Sequence, residues 1–166
     1  MSAYELAQLN IGVIKGPMDS ALMADFANNL ERINAVADAS PGFVWRLQTE
    51  AGDATAIRPF DDPNLLVNMS VWRDVESLNR YVYSSAHVEI MRRRREFFER
   101  MNVAFLVLWW VPRGHRPPVD EAMARLEMLR AQGPSAMAFT FRHAFPSPDA
   151  SPAQPRVAFD DTCPAT

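Results

Sequence analysis

The sequence predicts an α+β domain in the order β-α-β-β-α-β, followed by a C-terminal helix and an extra strand. Three observations predict it. The stretch Leu65 to Arg116 reads as one βαβ unit: the apolar run LLVNMSVW, a long amphipathic helical stretch ending SSAHVEIMRRRREFFERM, and the apolar run VAFLVLWWV. A second β-α-β alternation precedes it, between Tyr4 and Gln48. Between the two units, residues 49–63 carry Gly52, Pro59 and Pro63 and show no helical periodicity. A parallel sheet would need a crossover helix there, so strands two and three are expected to pair antiparallel across a long loop. Two βαβ halves in tandem give a ferredoxin-like order.

Each element has a local cause. Tyr4 to Ile14 alternates as a strand, and Gly16-Pro17 breaks it. Asp19 or Ser20 can cap helix one, which runs to about Asp38. Its buried face is Leu22, Phe26, Leu30, Ile33 and Ala37, at helical spacing. Pro41-Gly42 ends it, and Phe43 to Gln48 is strand two. Leu65 to Trp72 is strand three. Helix two starts at about Asp74, has a bending point at Ser84-Ser85 and resumes through Glu99. Val103 to Val111 is strand four and Arg113 to Pro118 a turn. Asp120 to Gln132 is a third helix, stopped by Gly133-Pro134, and Ala136 to Phe145 a fifth strand. From Pro146 onward, five prolines among small and polar residues predict a disordered tail, leaving residues 1–145 as one domain.

Composition narrows the classes. A chain of 166 residues with 48% apolar residues has room for one domain with a proper core. A net charge of −3 argues against a nucleic-acid or membrane partner. The single cysteine, Cys163, allows no internal disulfide, which suits a reducing cytoplasm. The N-terminus MSAYELAQLN lacks the pattern of a signal peptide, and no apolar run reaches the ~18 residues of a transmembrane helix. A cytoplasmic location is therefore expected.

The strands predict a two-faced sheet. Ala7, Leu9, Ile11 and Val13 share a face with one another, and Leu65, Val67, Met69 and Val71 likewise. The opposite faces carry Gln8 and Asn10, then Asn68, Ser70 and Trp72. The dry face is expected to carry the helices. The mixed face, with Asn10, Arg46, Asn68 and Trp72 as candidate ligand contacts, is expected either to line a cavity or to lie in a dimer interface. Trp109 and Trp110 point opposite ways, so one at most faces a given cavity, and Trp110 is the candidate. A four-stranded sheet with helices on one face leaves the other uncovered. That predicts a homodimer with sheets facing each other.

The helix with four consecutive arginines supplies the catalytic candidates. Val88, Ile90, Met91, Phe97, Phe98 and Met101 form one broad stripe at helical spacing, and His87 and Arg94 fall near its middle. They are about two turns apart, roughly 10 Å along the axis. Glu89–Arg93 and Glu96–Arg100 are spaced for i,i+4 pairs on a solvated face, so the run is no single basic patch. A charge in an apolar stripe needs a partner. Arg94 is either a structural ion pair or a clamp for an anionic or carbonyl-bearing ligand, with His87 as acid, base or hydrogen-bond donor. The three histidines, His87, His115 and His143, sit on different elements without metal-ligand spacing, so no metal is expected. His115 sits in a turn, at a cavity mouth or in solvent. No G-x-G-x-x-G, P-loop or G-x-S-x-G sequence occurs, and Cys163 lies in the tail, a poor place for a nucleophile.

The runs INAVADASPGFVWRLQ, SVWRDVESLNRYVYSSAHVEIMRRRREFF and LVLWWVPRGHRP resemble those of the bacterial domain-of-unknown-function family 3291, over nearly everything from Tyr4 to Phe145. That family is placed in the dimeric α+β barrel superfamily. The resemblance implies a ferredoxin-like monomer whose sheet packs against a second copy. It implies a functional field that includes cofactor-independent oxygenases, heme enzymes, isomerases and members without known activity. In the heme-degrading branch a helix-two histidine ligates iron, and alignment on the SVW strand end places Met91 there, so no heme or other cofactor is expected. Two readings follow. One is an enzyme without a tightly held cofactor, an oxygenase or isomerase of an aromatic or polyketide-like compound. The other is a non-catalytic binding or structural dimer.

Overall fold

In the computed structural model, residues 2–48, 62 and 64–151 are described. The elements are β1 (Tyr4–Val13), α1 (Ala24–Ala39), β2 (Phe43–Arg46), β3 (Leu65–Trp72), α2 (Val75–Val82), α3 (Ser85–Arg92), α4 (Arg94–Phe97), β4 (Leu106–Pro112) and α5 (Val119–Gln132). The four strands form an antiparallel sheet in the order β2-β3-β1-β4, the strand order of a ferredoxin-like domain. The loop expected over 49–63 lies, Asp62 apart, outside the described residues.

Register decides which side chains share a face. Gln8 sits opposite Ser70, Asn10 opposite Asn68, and Leu6 opposite Trp72. Leu6 and Gln8 also sit opposite Trp110 and Leu108 of β4. Ala7, Leu9 and Ile11 pair with Val71, Met69 and Val67 and therefore point the other way.

Helices lie on both faces, not on the dry face alone. The dry face packs on α5, where Ala122, Met123, Leu126 and Leu129 join Ala7, Leu9, Met69, Val71, Val107 and Trp109 in one core. The mixed face lies under α1, α2 and α3. Trp72 and Leu6 pack with Ala37, Leu78 and Val82, and Leu66 packs with Phe26, Ile33 and Ile90. Leu9, Met69 and Val71 are buried within the single chain.

Three boundaries shift for local reasons. Helix one starts at Ala24 because Ser20 spends its hydroxyl on Pro17 O, 2.5 Å away, and the backbone turns until buried Met23. Helix two breaks twice. Asp74 caps α2 by accepting from Ser77 N at 2.7 Å. Ser84 then takes an extended ψ of 150°, and Arg93 separates α3 from α4. The fifth strand reduces to one bridge, in which Leu108 and Phe139 exchange backbone hydrogen bonds of 2.8 Å. Ser135 and Ala138 bond each other across a tight turn and so use the groups a longer strand would pair. The bridge covers β4, the edge strand, whose two apolar faces are buried on α5 and on Phe139 and Phe141.

Two further details position the site. Gly42, at φ +87°, turns the chain into β2, and a Cβ there would lie 2.2 Å from Ser77 Oγ. Residues 146–151, expected as the start of the tail, are held against the N-terminus. Asp149 accepts from Ser147 Oγ, from Ala3 N at 2.6 Å and from Ser2 Oγ at 2.8 Å, and these bonds, the Ser147 one foremost, hold its carboxyl down at about 2. The remainder of the expected tail, 152–166, lies outside the described residues.

Candidate functional site

The mixed sheet face and the helices above it enclose a cavity of about 70 Å³. Its floor is polar and comes from paired strand positions. Gln8 Nε2 donates to Asn68 Oδ1 at 2.8 Å and to Ser70 Oγ at 3.0 Å. Trp72 Nε1 donates to the same Ser70 oxygen at 2.8 Å. Gln8 is only 3% exposed, and its Oε1 has no hydrogen-bond partner. The neighbouring Asn10 completes this polar strip.

Aromatic side chains build the walls. Phe43 meets Trp72 edge-on at 5.4 Å, Tyr81 stacks on Trp72 at 5.1 Å, and His87 tilts against Tyr81 at 5.0 Å. At the other end Phe98 closes the void, lying over Gly12, where a Cβ would come within 2.5 Å of its ring.

His87 stands on α3, one turn past the break at Ser84. Val82 O, left free at the end of α2, lies 2.8 Å from His87 Nδ1. A carbonyl only accepts, so Nδ1 carries the proton and Nε2 is the acceptor of a neutral ring. Burial pushes the pKa down from 6.5 to about 4, against the smaller upward pull of the Val82 bond. His87 is therefore neutral at pH 7.

The candidates divide. Asn10, Arg46, Asn68, Trp72 and His87 all border this cavity. Arg46 sits at its lip, held by Asp38 through bonds of 2.8 and 3.3 Å. Trp110 lies outside, in a neighbouring cleft, donating Nε1 to Phe145 O at 2.9 Å. Arg94 is not among the lining residues. Its guanidinium is clamped between the rings of Phe98 and Phe105, each 4.7 Å away, and reaches Ile11 O at 3.5 Å. The break at Arg93 turns Arg94 off the line of His87, so the two do not converge on one void. In place of the expected Glu89–Arg93 pair, Arg93 binds Asp25 of α1 and, three residues on, Glu96, and Glu89 binds Arg32 of α1. His115 binds Glu121 at 2.7 Å, well away from the cavity lining.

Gln8 and Ser70, which the strand pattern places on the same mixed face, also border the cavity, and so do Asn34, Tyr81 and Phe98, which the sequence does not single out. The signal for Asn34 was present, since it lies four residues after Leu30 on the buried face of helix one. Among the described residues no carboxylate or lysine lines the void. Among the described residues no group of three or more His, Cys, Asp or Glu could hold a metal, and a porphyrin does not fit a void of this size. Met91 packs in the core beside Trp72. The arrangement can accept hydrogen bonds from a neutral planar molecule and offers one uncharged base. Among the described residues no helix is long and apolar enough to cross a membrane.

Residues 5–155 match the model of a family described as a domain of unknown function, DUF3291. Among solved structures, SnoaB, a cofactor-independent oxygenase from Streptomyces nogalater, is 20% identical with a TM-score of 0.46, covering 70% of this chain and 99% of that one. A conserved protein from Methanosarcina mazei Go1 is 13% identical with a TM-score of 0.48, covering 66% and 93%. The NE2512 protein of unknown function from Nitrosomonas europaea is 13% identical with a TM-score of 0.44, covering 70% and 96%. Likenesses at this level carry no argument about activity. No curated protein matches the chain.

Proposed function

We propose, from the premise that this chain belongs to the domain-of-unknown-function family DUF3291, that it binds a small, neutral hydroxyaromatic compound between the sheet and helices α1–α3. Gln8 carries the reading. Its buried Oε1 has no donor, a state that costs about 1–3 kcal/mol, and a ligand hydroxyl would relieve it. The neutral His87 ring offers a second acceptor, and Trp72, Tyr81 and Phe98 offer flat apolar walls. Arg46, the charged residue among the described lining, is already held by Asp38, and so the cavity favours an uncharged molecule.

Titration calorimetry with phenol and 1-naphthol tests this. Gln8→Leu and His87→Phe should each weaken binding at least tenfold, about 1.4 kcal/mol. Wild-type protein that binds neither compound removes the reading.

A second reading, a cofactor-independent oxygenase or isomerase, is favoured by the same histidine. Transfer of the ligand's hydroxyl proton to Nε2 creates an imidazolium–oxyanion pair. Its attraction in a water-poor cavity opposes the desolvation that disfavours the charged ring. Oxygen uptake or product formation that disappears in His87→Phe supports an enzyme, and binding without turnover leaves the non-catalytic reading.

A cytoplasmic homodimer belongs to the same proposal. Light scattering at micromolar concentration that returns the mass of one chain, 18.7 kDa, overturns the dimer.

A further inference from the structure

The cavity is smaller than the ligand it is asked to hold. A void of about 150 Å³ takes up benzene, and drug-sized ligands occupy about 300–1,000 Å³. The inner cavity offers about 70 Å³. A second cleft, of about 890 Å³, lies beyond the start of β1 and the end of β4. Phe43 lines both.

Phe43 is built as a movable partition. It is half-buried and stands first in β2, directly after the Gly42 turn and on a bulge that shifts the register between Phe43 and Trp45. Its ring contact is an edge-on one with Trp72, on the cavity wall. The outer cleft continues the same chemistry. Trp110 and Phe145 supply aromatic surface and Val75 an aliphatic one. Arg73 is already bonded to Asp74 and Ser77, and Arg113 to Ser2 O. Of the carboxylates that line it, Asp74 bonds Arg73, Glu5 bonds Arg116 and Gly114 N, and Asp149 bonds Ser2 and Ala3, while Glu76 is exposed at the rim, so the aromatic surface lies between mostly paired charges.

We propose that the outer cleft is a second subsite for the same ligand, holding the ring system of a neutral polycyclic compound whose hydroxylated end passes Phe43 to reach Gln8 and His87. This rests on the binding reading above and extends it to molecules of several fused rings. The cost of displacing Phe43 appears as a weakened apparent affinity in the wild type.

The test compares phenol, a single ring that the inner cavity admits once its walls shift, with 1-hydroxyphenanthrene, whose further rings must extend past Phe43, by titration calorimetry on the full chain. Phe43→Ala removes the partition and should tighten 1-hydroxyphenanthrene about tenfold. Phe43→Leu serves in its place if the alanine variant does not fold. Glu76→Trp, an exposed position on the outer rim, should weaken 1-hydroxyphenanthrene about tenfold and leave phenol within about twofold. Phenol binding retained, with 1-hydroxyphenanthrene unbound or unchanged across all variants, overturns the outer subsite and leaves the binding reading standing. A wild type that binds neither phenol nor 1-naphthol overturns both.

Discussion

Trp72→Ala should cost about 3–5 kcal/mol of stability, a large share of the roughly 5–15 kcal/mol a domain possesses. Trp72 is fully buried, with Phe43 on its edge and Tyr81 on its face. Deletion leaves a void that the sheet and α2 have no means to close. It also takes the indole donor from Ser70, whose hydroxyl holds Gln8. Trp72→Phe separates these contributions, since it keeps most of the ring volume and loses only the donor, so it should cost about 1–2 kcal/mol. Urea unfolding of both variants is the measurement. A loss below about 1 kcal/mol for Trp72→Ala would show that the aromatic column is not structural.

The second large effect is a dependence on pH. The pKa of His87 falls from 6.5 in the unfolded chain to about 4 in the fold, so between those values the unfolded state binds the extra proton. Stability therefore stands at its full value above about pH 6.5 and declines as pH falls towards 4, where the folded ring also protonates. At about 1.4 kcal/mol per pH unit, this amounts to roughly 3 kcal/mol between pH 7 and pH 4. Asp74 and Glu96, whose carboxyls are held below their ordinary values, also lose stabilisation in acid, so the informative quantity is a difference. His87→Gln should lose about 3 kcal/mol less than the wild type over that interval. Equal slopes for the two proteins would mean that His87 is not held neutral by burial.

Much of this fold was legible because it is written in periodicity. The strand Leu65–Trp72 was delimited by its own apolar run, and Tyr4–Val13 by alternation. The polar strip of Gln8, Asn10, Asn68 and Ser70 was legible for the same reason, since alternation fixes which residues share a face. The pairing of His87 with Arg94 was not. It assumed a helix unbroken beyond the expected bend at Ser84, and the chain leaves helical geometry again at Arg93, between the two residues. Nothing in SSAHVEIMRRRREFF marks the second break. No proline or glycine stands there, and Arg93 ends α3 where it binds Asp25 of α1 and Glu96 of α4.

By itself the sequence determined the order of the elements, the antiparallel joining of strands two and three, and the membership of each sheet face, because these depend on residues close together in the chain. Only the tertiary structure decided what covers each face. Alternation marks a dry face and a mixed one but carries no information on which helices lie over either, since that is set by the direction in which each connection crosses the sheet. Here α5 takes the dry face and the break at Ser84 turns α3 down onto the mixed one. That turn brings His87 against the Val82 carbonyl and over the strip containing Gln8, and so makes a cavity where the strand pattern left open either a cavity or a dimer interface.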